Sequence, residues 1–299
     1  MIRNFDEMLI RVKQLSGKKV LIAGAQTGSA IEAAVLAKQE QLADSVLIGD
    51  KQSIIEILKK DFPEFVDAFE IVDTGSDLKK ACVETVRLAK EGKGDIILKG
   101  KADTALLLKA ALDKETGVRV SDVISDVLAF EHPERVILMS DGGINLYPDL
   151  NEKIAIINNS VKVAHSLGCN NPKVALLAAV EGVNPKMPCT IDASIISKMN
   201  SRGQIKGCVI DGPLAFDNAI NEEAALIKGI KSEVAGHADI LIVPNIEAGN
   251  IFGKTLTYYC NYRVAHVVMG TKVPILIASR ADTGETKMLC IALGILASQ

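Results

Sequence analysis

The sequence predicts an α/β protein of two doubly wound domains, and three of its features carry that prediction. Short runs of Val, Ile, Leu and Ala stay apolar from end to end and alternate with longer stretches of helical period, the pattern of a parallel sheet covered on both faces. The alternation runs twice, with an interruption near the middle of the chain. The 299 residues, 48% of them hydrophobic, are enough for two domains of ordinary size with a large core.

The chain opens on MIRNFDEMLIRVKQL, which mixes charged and apolar residues at helical spacing and lacks the continuous apolar core of a signal peptide. Strand and helix then alternate over 19–23 and 31–41, 45–48 and 54–60, 69–72 and 78–90, and 95–98 and 105–112. Between 118 and 147 the rhythm changes. Two β-rich runs, 123–130 and 136–140, flank the turn His132-Pro133-Glu134 and read as a hairpin or a sheet edge. Pro148-Asp149 is a helix start signal, and the helix of about 152–167 that follows is expected to bridge the domains. Further strands are expected at 173–179, 208–210, 240–243, 264–269 and 273–278, and helices at 193–199, 222–234, 252–262 and 285–297. No Pro/Gly/Ser linker interrupts them, so structured elements join the domains, 1–150 plus about 280–299 and 151–279, with a cleft between them.

Composition removes several function classes. A net charge of −3, no long basic runs, 4% aromatic residues and no Trp leave no footprint for nucleic acid. No stretch approaches the length of a membrane span. The cysteines at 82, 169, 189, 208, 260 and 290 lack metal-ligand spacing and read as reduced core thiols of a cytoplasmic protein. His132, His165, His237 and His266 have no acid at motif spacing and read as packed or surface histidines. Neither GxSxG nor HExxH occurs.

Chemistry concentrates where strands end. In PILIASRADTGETK (274–287) an apolar run stops at Ser279-Arg280 just before a helix, where open α/β sheets bind ligands. A hydroxyl and a planar guanidinium there suit a small oxyanion; the alternative is a surface turn with Arg280 solvated or paired with Asp282 or Glu285. Lys99-Gly100-Lys101-Ala102-Asp103-Thr104 offers a glycine for close approach, two lysines and Thr104 as a helix cap, a composition suited to phosphate. It is no Walker loop, and Gly24-Ala25-Gln26-Thr27-Gly28 lacks both that lysine and GxGxxG spacing. Ser140-Asp141-Gly142-Gly143-Ile144-Asn145 reads as a tight turn. The runs 211–220 and 244–251 put Asp211, Asn245, Glu247 and Asn250 at strand ends or helix starts as ligand candidates, with helix capping the alternative for Asp217 and Asn250.

Four long runs carry a resemblance: AAVEGVNPKMPCTIDASIISKMNSRGQIKG, DGPLAFDNAI, ADILIVPNIEAGNIFGKTL and VPILIASRADTGETK. They are similar to the phosphate acetyl/butyryltransferase family, and the similarity extends over nearly the whole chain. The run VEGVNPKMP resembles the butyryl branch; the acetyl branch carries a Ser/Thr-rich loop at that place.

The resemblance implies exchange of coenzyme A for phosphate on a short acyl group, in two domains like those of isocitrate and isopropylmalate dehydrogenases. It implies a homodimer or higher homo-oligomer, small-molecule substrates only, CoA as substrate, and no metal or permanently bound cofactor. Phosphate acetyltransferase activity is the nearest alternative. Ser279 and Arg280 match the family's SRG motif, and Lys99, Lys101 and Thr104 fall in the candidate substrate-binding set. The family arginine that helps hold substrate is Lys109 here, which keeps the charge but loses the bidentate fork. The family's base, seven residues after the serine, is Thr286, so Asp282 or Glu285 has to replace it. Because a thiol is mostly protonated at neutral pH, that base matters. Its displacement leaves open a non-catalytic sensor of acyl-CoA or acyl phosphate. The missing GxGxxG and acidic metal cluster argue against an NAD-dependent dehydrogenase.

Overall fold

The computed structural model describes residues 1–15, 17–277 and 282–299. In chain order the elements are α1 (Phe5–Lys13), β1 (Lys19–Ala23), α2 (Gly28–Gln39), β2 (Asp44–Gly49), α3 (Lys51–Asp61), β3 (Glu70–Asp73), α4 (Leu78–Lys90), β4 (Ile96–Lys99) and α5 (Thr104–Ala111). The hairpin β5 (Ser125–His132) and β6 (Arg135–Ser140) follows, then α6 (Leu150–Ser166), β7 (Lys173–Leu177), α7 (Pro188–Ser201), β8 (Val209–Leu214), α8 (Phe216–Ile220) and α9 (Glu222–Ile227). The chain ends with β9 (Ile240–Ile242), α10 (Ile246–Lys254), β10 (Val264–Met269), β11 (Ile275–Leu276) and α11 (Gly284–Ala297).

These elements form two compact α/β units. One comprises Asp6–Asp122 with Ala265–Gln299, the other Met1–Phe5 with Val123–Val264. The chain thus passes between units after Phe5, at Val123 and after Val264, whereas the sequence reading puts the crossings at 150 and about 280. The reason is visible in the pairing: β6 runs parallel to β9, with Leu138 opposite Ile240, so the hairpin extends the second unit's sheet. Helix α6 packs on β5, β6 and β9 inside that unit; it does not bridge the two.

In the first unit the strand order is β3-β2-β1-β4-β11-β10, parallel except for the β10–β11 pair. Helix α11 is apolar on nearly all sides and buries Leu289, Cys290, Ile291, Leu293, Ile295 and Leu296, as a helix must when it is covered all round. The second unit is ordered β5-β6-β9-β7-β8, antiparallel only within the hairpin. Its core gathers Leu128, Phe130, Met139, Leu214, Val234 and Leu241, with the Phe130 ring edge-on to Phe252 at 6.0 Å and stacked with Tyr262 at 6.3 Å.

Several boundaries move for local reasons. Helix α7 begins at Pro188, earlier than 193, because proline is pre-set for a first helical position. Helix α9 stops at Ile227, short of 234, where Gly229 takes φ +68. Helix α10 starts at Ile246 because Asn245 caps it, and gives way to a π turn over Thr255–Tyr259. Strand β11 is only Ile275–Leu276, since Pro274 has no N–H for the ladder, and the expected strand end at Ala278 lies outside the described residues. The cysteines are all free; Cys82, Cys208 and Cys290 are buried, whereas Cys260 is exposed and no core thiol. Among the described residues no helix is long and apolar enough to cross a membrane.

Candidate active site

At the carboxyl edge of the first unit, the turns after β1 and β4 interlock. Gly24 takes φ +71, Gly100 donates its N–H to the Ala23 carbonyl at 2.9 Å, and Lys101 donates to the Gly24 carbonyl at 2.7 Å. A Cβ on Gly100 would stand 2.4 Å from the Gly24 oxygen, so only glycine permits this approach. The chain winds outward from β1 through β2 to β3, then returns to β4 on the other side of β1. The interlocked turns therefore mark the topological switch point, where open α/β sheets take ligands.

Two helices start there, and neither has a side-chain cap. Thr27 before α2 and Asp103 before α5 make no capping hydrogen bond, while Asp50, Asp77 and Thr283 cap α3, α4 and α11. First-turn N–H groups and the helix dipole favour an anion at such ends. Lys101 is exposed beside them, and Lys99 is buried with its Nζ donating to the Gly100 carbonyl at 3.4 Å. Thr104 is the first helical residue, not the cap, which is Asp103. Lys109 lies in the last turn of α5, five residues after Thr104 on the same helix.

Ser279 and Arg280 lie outside the described residues. Where the described residues resume, the Asp282 carbonyl accepts from the buried Lys287 ammonium at 2.6 Å, and Glu285 stands in the first turn of α11. Thr286 completes the cap: its N–H donates to the Thr283 hydroxyl at 3.2 Å, and the two hydroxyls share a hydrogen bond of 3.1 Å.

The second unit's carboxyl edge gathers Asn245, Glu247 and Asn250 on one helix start. Asn245 accepts from the Ala248 N–H at 3.0 Å, Glu247 accepts from the Tyr147 hydroxyl, and Asn250 donates to the Gly142 carbonyl at 3.2 Å. Asp211 is apart from them on β8, separated from β9 by β7, with its carboxylate accepting from the Gly212 N–H at 2.8 Å. Among the described residues no cluster of His, Cys, Asp and Glu forms a metal site.

The residue that sequence reasoning missed is Asp141. Read as part of a tight turn, it is 3% exposed and accepts from the Gly143 N–H at 2.8 Å, the Ile144 N–H at 3.0 Å and the Asn145 side chain at 2.6 Å. Burial, reinforced by the Asp126 carboxylate, pushes its carboxyl from 3.8 up to about 6, against the pull of those hydrogen bonds. Its stabilising contribution is therefore complete below 3.8 and is lost as pH rises through about 6, a total of about 3 kcal/mol. Asp126→Asn is expected to lower that titration and to reduce the pH-linked loss, which in the parent is roughly 1 kcal/mol between pH 5 and 7.5. Urea unfolding at the two pH values checks this, and an unchanged pH dependence in the variant counts against it.

The family described as "Phosphate acetyl/butaryl transferase" matches residues 67–295. The chain belongs to this family. Like other phosphate acetyl/butyryl transferases, it is an acyltransferase that exchanges CoA and phosphate on a short acyl group. It is 48% identical to the phosphate butyryltransferase of Clostridium acetobutylicum over 298 residues, 99% of this chain and 98% of that one. Identity to the phosphate acetyltransferase of Thermotoga maritima is 42% over 291 residues, 97% and 98% of the two chains. The crystal structure of a branched-chain phosphotransacylase from Enterococcus faecalis superposes with a TM-score of 0.83 at 30% identity, covering 94% of this chain and 99% of that one.

Proposed function

We propose that the protein is a phosphate butyryltransferase, exchanging CoA and phosphate on an acyl group of about four carbons. The observation that carries the chain length is the loop after β7, where Val183 stands 60% exposed and Pro185 is also exposed, apolar groups offered to a ligand at a strand's carboxyl end. The 48% identity to a phosphate butyryltransferase supports the same reading.

In the proposed reaction both substrates are held together, which can contribute ~7–11 kcal/mol over a bimolecular encounter. Lys99, Lys101 and Thr104, with the uncapped starts of α2 and α5, bind phosphate groups; Arg280 holds the leaving phosphate and Ser279 donates to the carbonyl oxygen as it gains charge. Asp282 or Glu285 takes the CoA thiol proton. The thiolate sulfur then bonds to the carbonyl carbon of the acyl phosphate, the carbon–oxygen bond to phosphate breaks, and acyl-CoA and phosphate result; the reverse reaction retraces these steps. Asp211, Asn245, Glu247 and Asn250 are assigned to substrate contact on the second unit, and Lys109, in the last turn of α5, to substrate binding on the first. No permanently bound cofactor enters, and the protein acts in the cytoplasm as a homodimer or higher homo-oligomer, a state that sedimentation velocity measures.

Pure protein mixed with butyryl-CoA and phosphate is expected to release free thiol above a protein-only blank. No release, with butyryl-CoA nevertheless bound, makes the protein a sensor. In the same assay, the base is the residue whose replacement, Asp282→Asn or Glu285→Gln, abolishes the acid limb of the pH profile.

A further inference from the structure

The loop between β7 and α7 is tied down at two places and open between them. On one side, the Glu181 carboxylate accepts from the Lys228 ammonium at 2.7 Å and from the Asn218 amide at 2.6 Å. Lys228 also pairs with Asp217 at 2.9 Å, so one ammonium sits between two carboxylates from different elements. Asn218 is fully buried, and Lys228 directly follows α9, whose last turn sets its position. On the other side, the Asn184 N–H donates to the Thr190 hydroxyl at 2.9 Å, and that hydroxyl donates to the Asn184 carbonyl at 3.0 Å, locking the loop onto the first turn of α7.

Gly182 and Val183 are what remains between the anchors. Gly182 has nothing near the place a Cβ would occupy, and Val183 is 60% exposed. A free loop would fold an apolar side chain down onto the protein surface. Held between polar anchors, this one keeps 60% of its surface exposed.

We propose that Lys228 is a positioning residue for acyl-chain selection, acting through Glu181 to hold Val183 where it meets the acyl group. The inference rests on the reading that this loop contacts the acyl chain. Removing the ammonium leaves Glu181 and Asp217 as neighbouring like charges that repel, with the Asn218 amide still holding Glu181, and so loosens the loop. The effect on folding is small, because a partly exposed ion pair contributes little to stability.

The test compares kcat and KM for butyryl-CoA and acetyl-CoA in the parent, Lys228→Met, Lys228→Arg and Glu181→Ala. Lys228→Met is expected to lower the butyryl-to-acetyl ratio of kcat/KM about tenfold, chiefly through KM for butyryl-CoA. Lys228→Arg is expected to keep the parental ratio, since it restores the cation. Glu181→Ala is expected to match Lys228→Met, and the double variant to lose no more than either single one, as residues acting in one chain of contacts do. If the parent itself shows no preference for the longer chain, the acyl-contact reading fails and this inference with it. A parent that prefers butyryl alongside a Lys228→Met variant that keeps the preference overturns this inference alone.

Discussion

Arg280→Gln is expected to lower phosphate-dependent turnover about 30- to 1000-fold, the loss of roughly 2–4 kcal/mol of transition-state stabilisation. A glutamine amide can donate to one phosphate oxygen, but it has neither the charge nor the paired donors of guanidinium. Arg280 lies outside the described residues, and the assignment comes from its place in the SRAD run of a chain that belongs to a phosphate-using transferase family. Folding should survive the change. The elements on either side draw their stability from burial, with Ile275 and Leu276 inaccessible in β11 and Leu289 to Leu296 packed through α11. The measurement is kcat/KM for phosphate at saturating acyl-CoA, paired with thermal unfolding of the same preparations. Near-parental use of phosphate sinks the assignment; a large drop in unfolding temperature transfers the residue from chemistry to structure.

The parts of this architecture legible in the sequence were those with a local signature. Runs such as 20–23 and Ile240–Ile242 are apolar without alternation because both faces of a parallel strand are covered, and that covering leaves its mark in the residues themselves. The turn at 99–104 was also visible as a strand end with a close-approach glycine, and Gly100 does meet the Gly24 carbonyl there. What escaped were features made by distant segments. Nothing in GAQTG states that its first glycine meets the turn after β4, although that contact locates the switch point. Asp141 looked like any acid before two glycines; only the fold buries it beside Asp126. Lys109 aligns with a substrate-holding arginine, and only the helix shows that it stands in the last turn of α5, on the same element as Thr104. Position in a motif says which residue type is present, whereas the helix decides where its side chain goes.

The same distinction bears on the loop proposed to meet the acyl chain. Val, Pro and Met are ordinary core residues, and from sequence alone VEGVNPKMP reads equally well as packing beneath a binding site. For Val183 and Pro185 the core alternative does not hold, because both are exposed, and only Met187 is half-buried. An apolar loop anchored through Glu181 and Thr190 gains most by covering an apolar ligand. Each buried methylene is worth about 0.8 kcal/mol, and discrimination per methylene about 1–3 kcal/mol, so the two that separate butyryl from acetyl should give a preference on the order of 10²-fold in kcat/KM. Acetyl-, propionyl-, butyryl- and isobutyryl-CoA at fixed phosphate form the decisive series. A rise to four carbons, straight or branched, is the expected result, with Val183→Ser flattening it by removing apolar contact while leaving the exposed loop's fold alone. A series that is flat, or that falls from acetyl onward, assigns this chain to acetyl transfer and leaves the exchange of CoA and phosphate untouched.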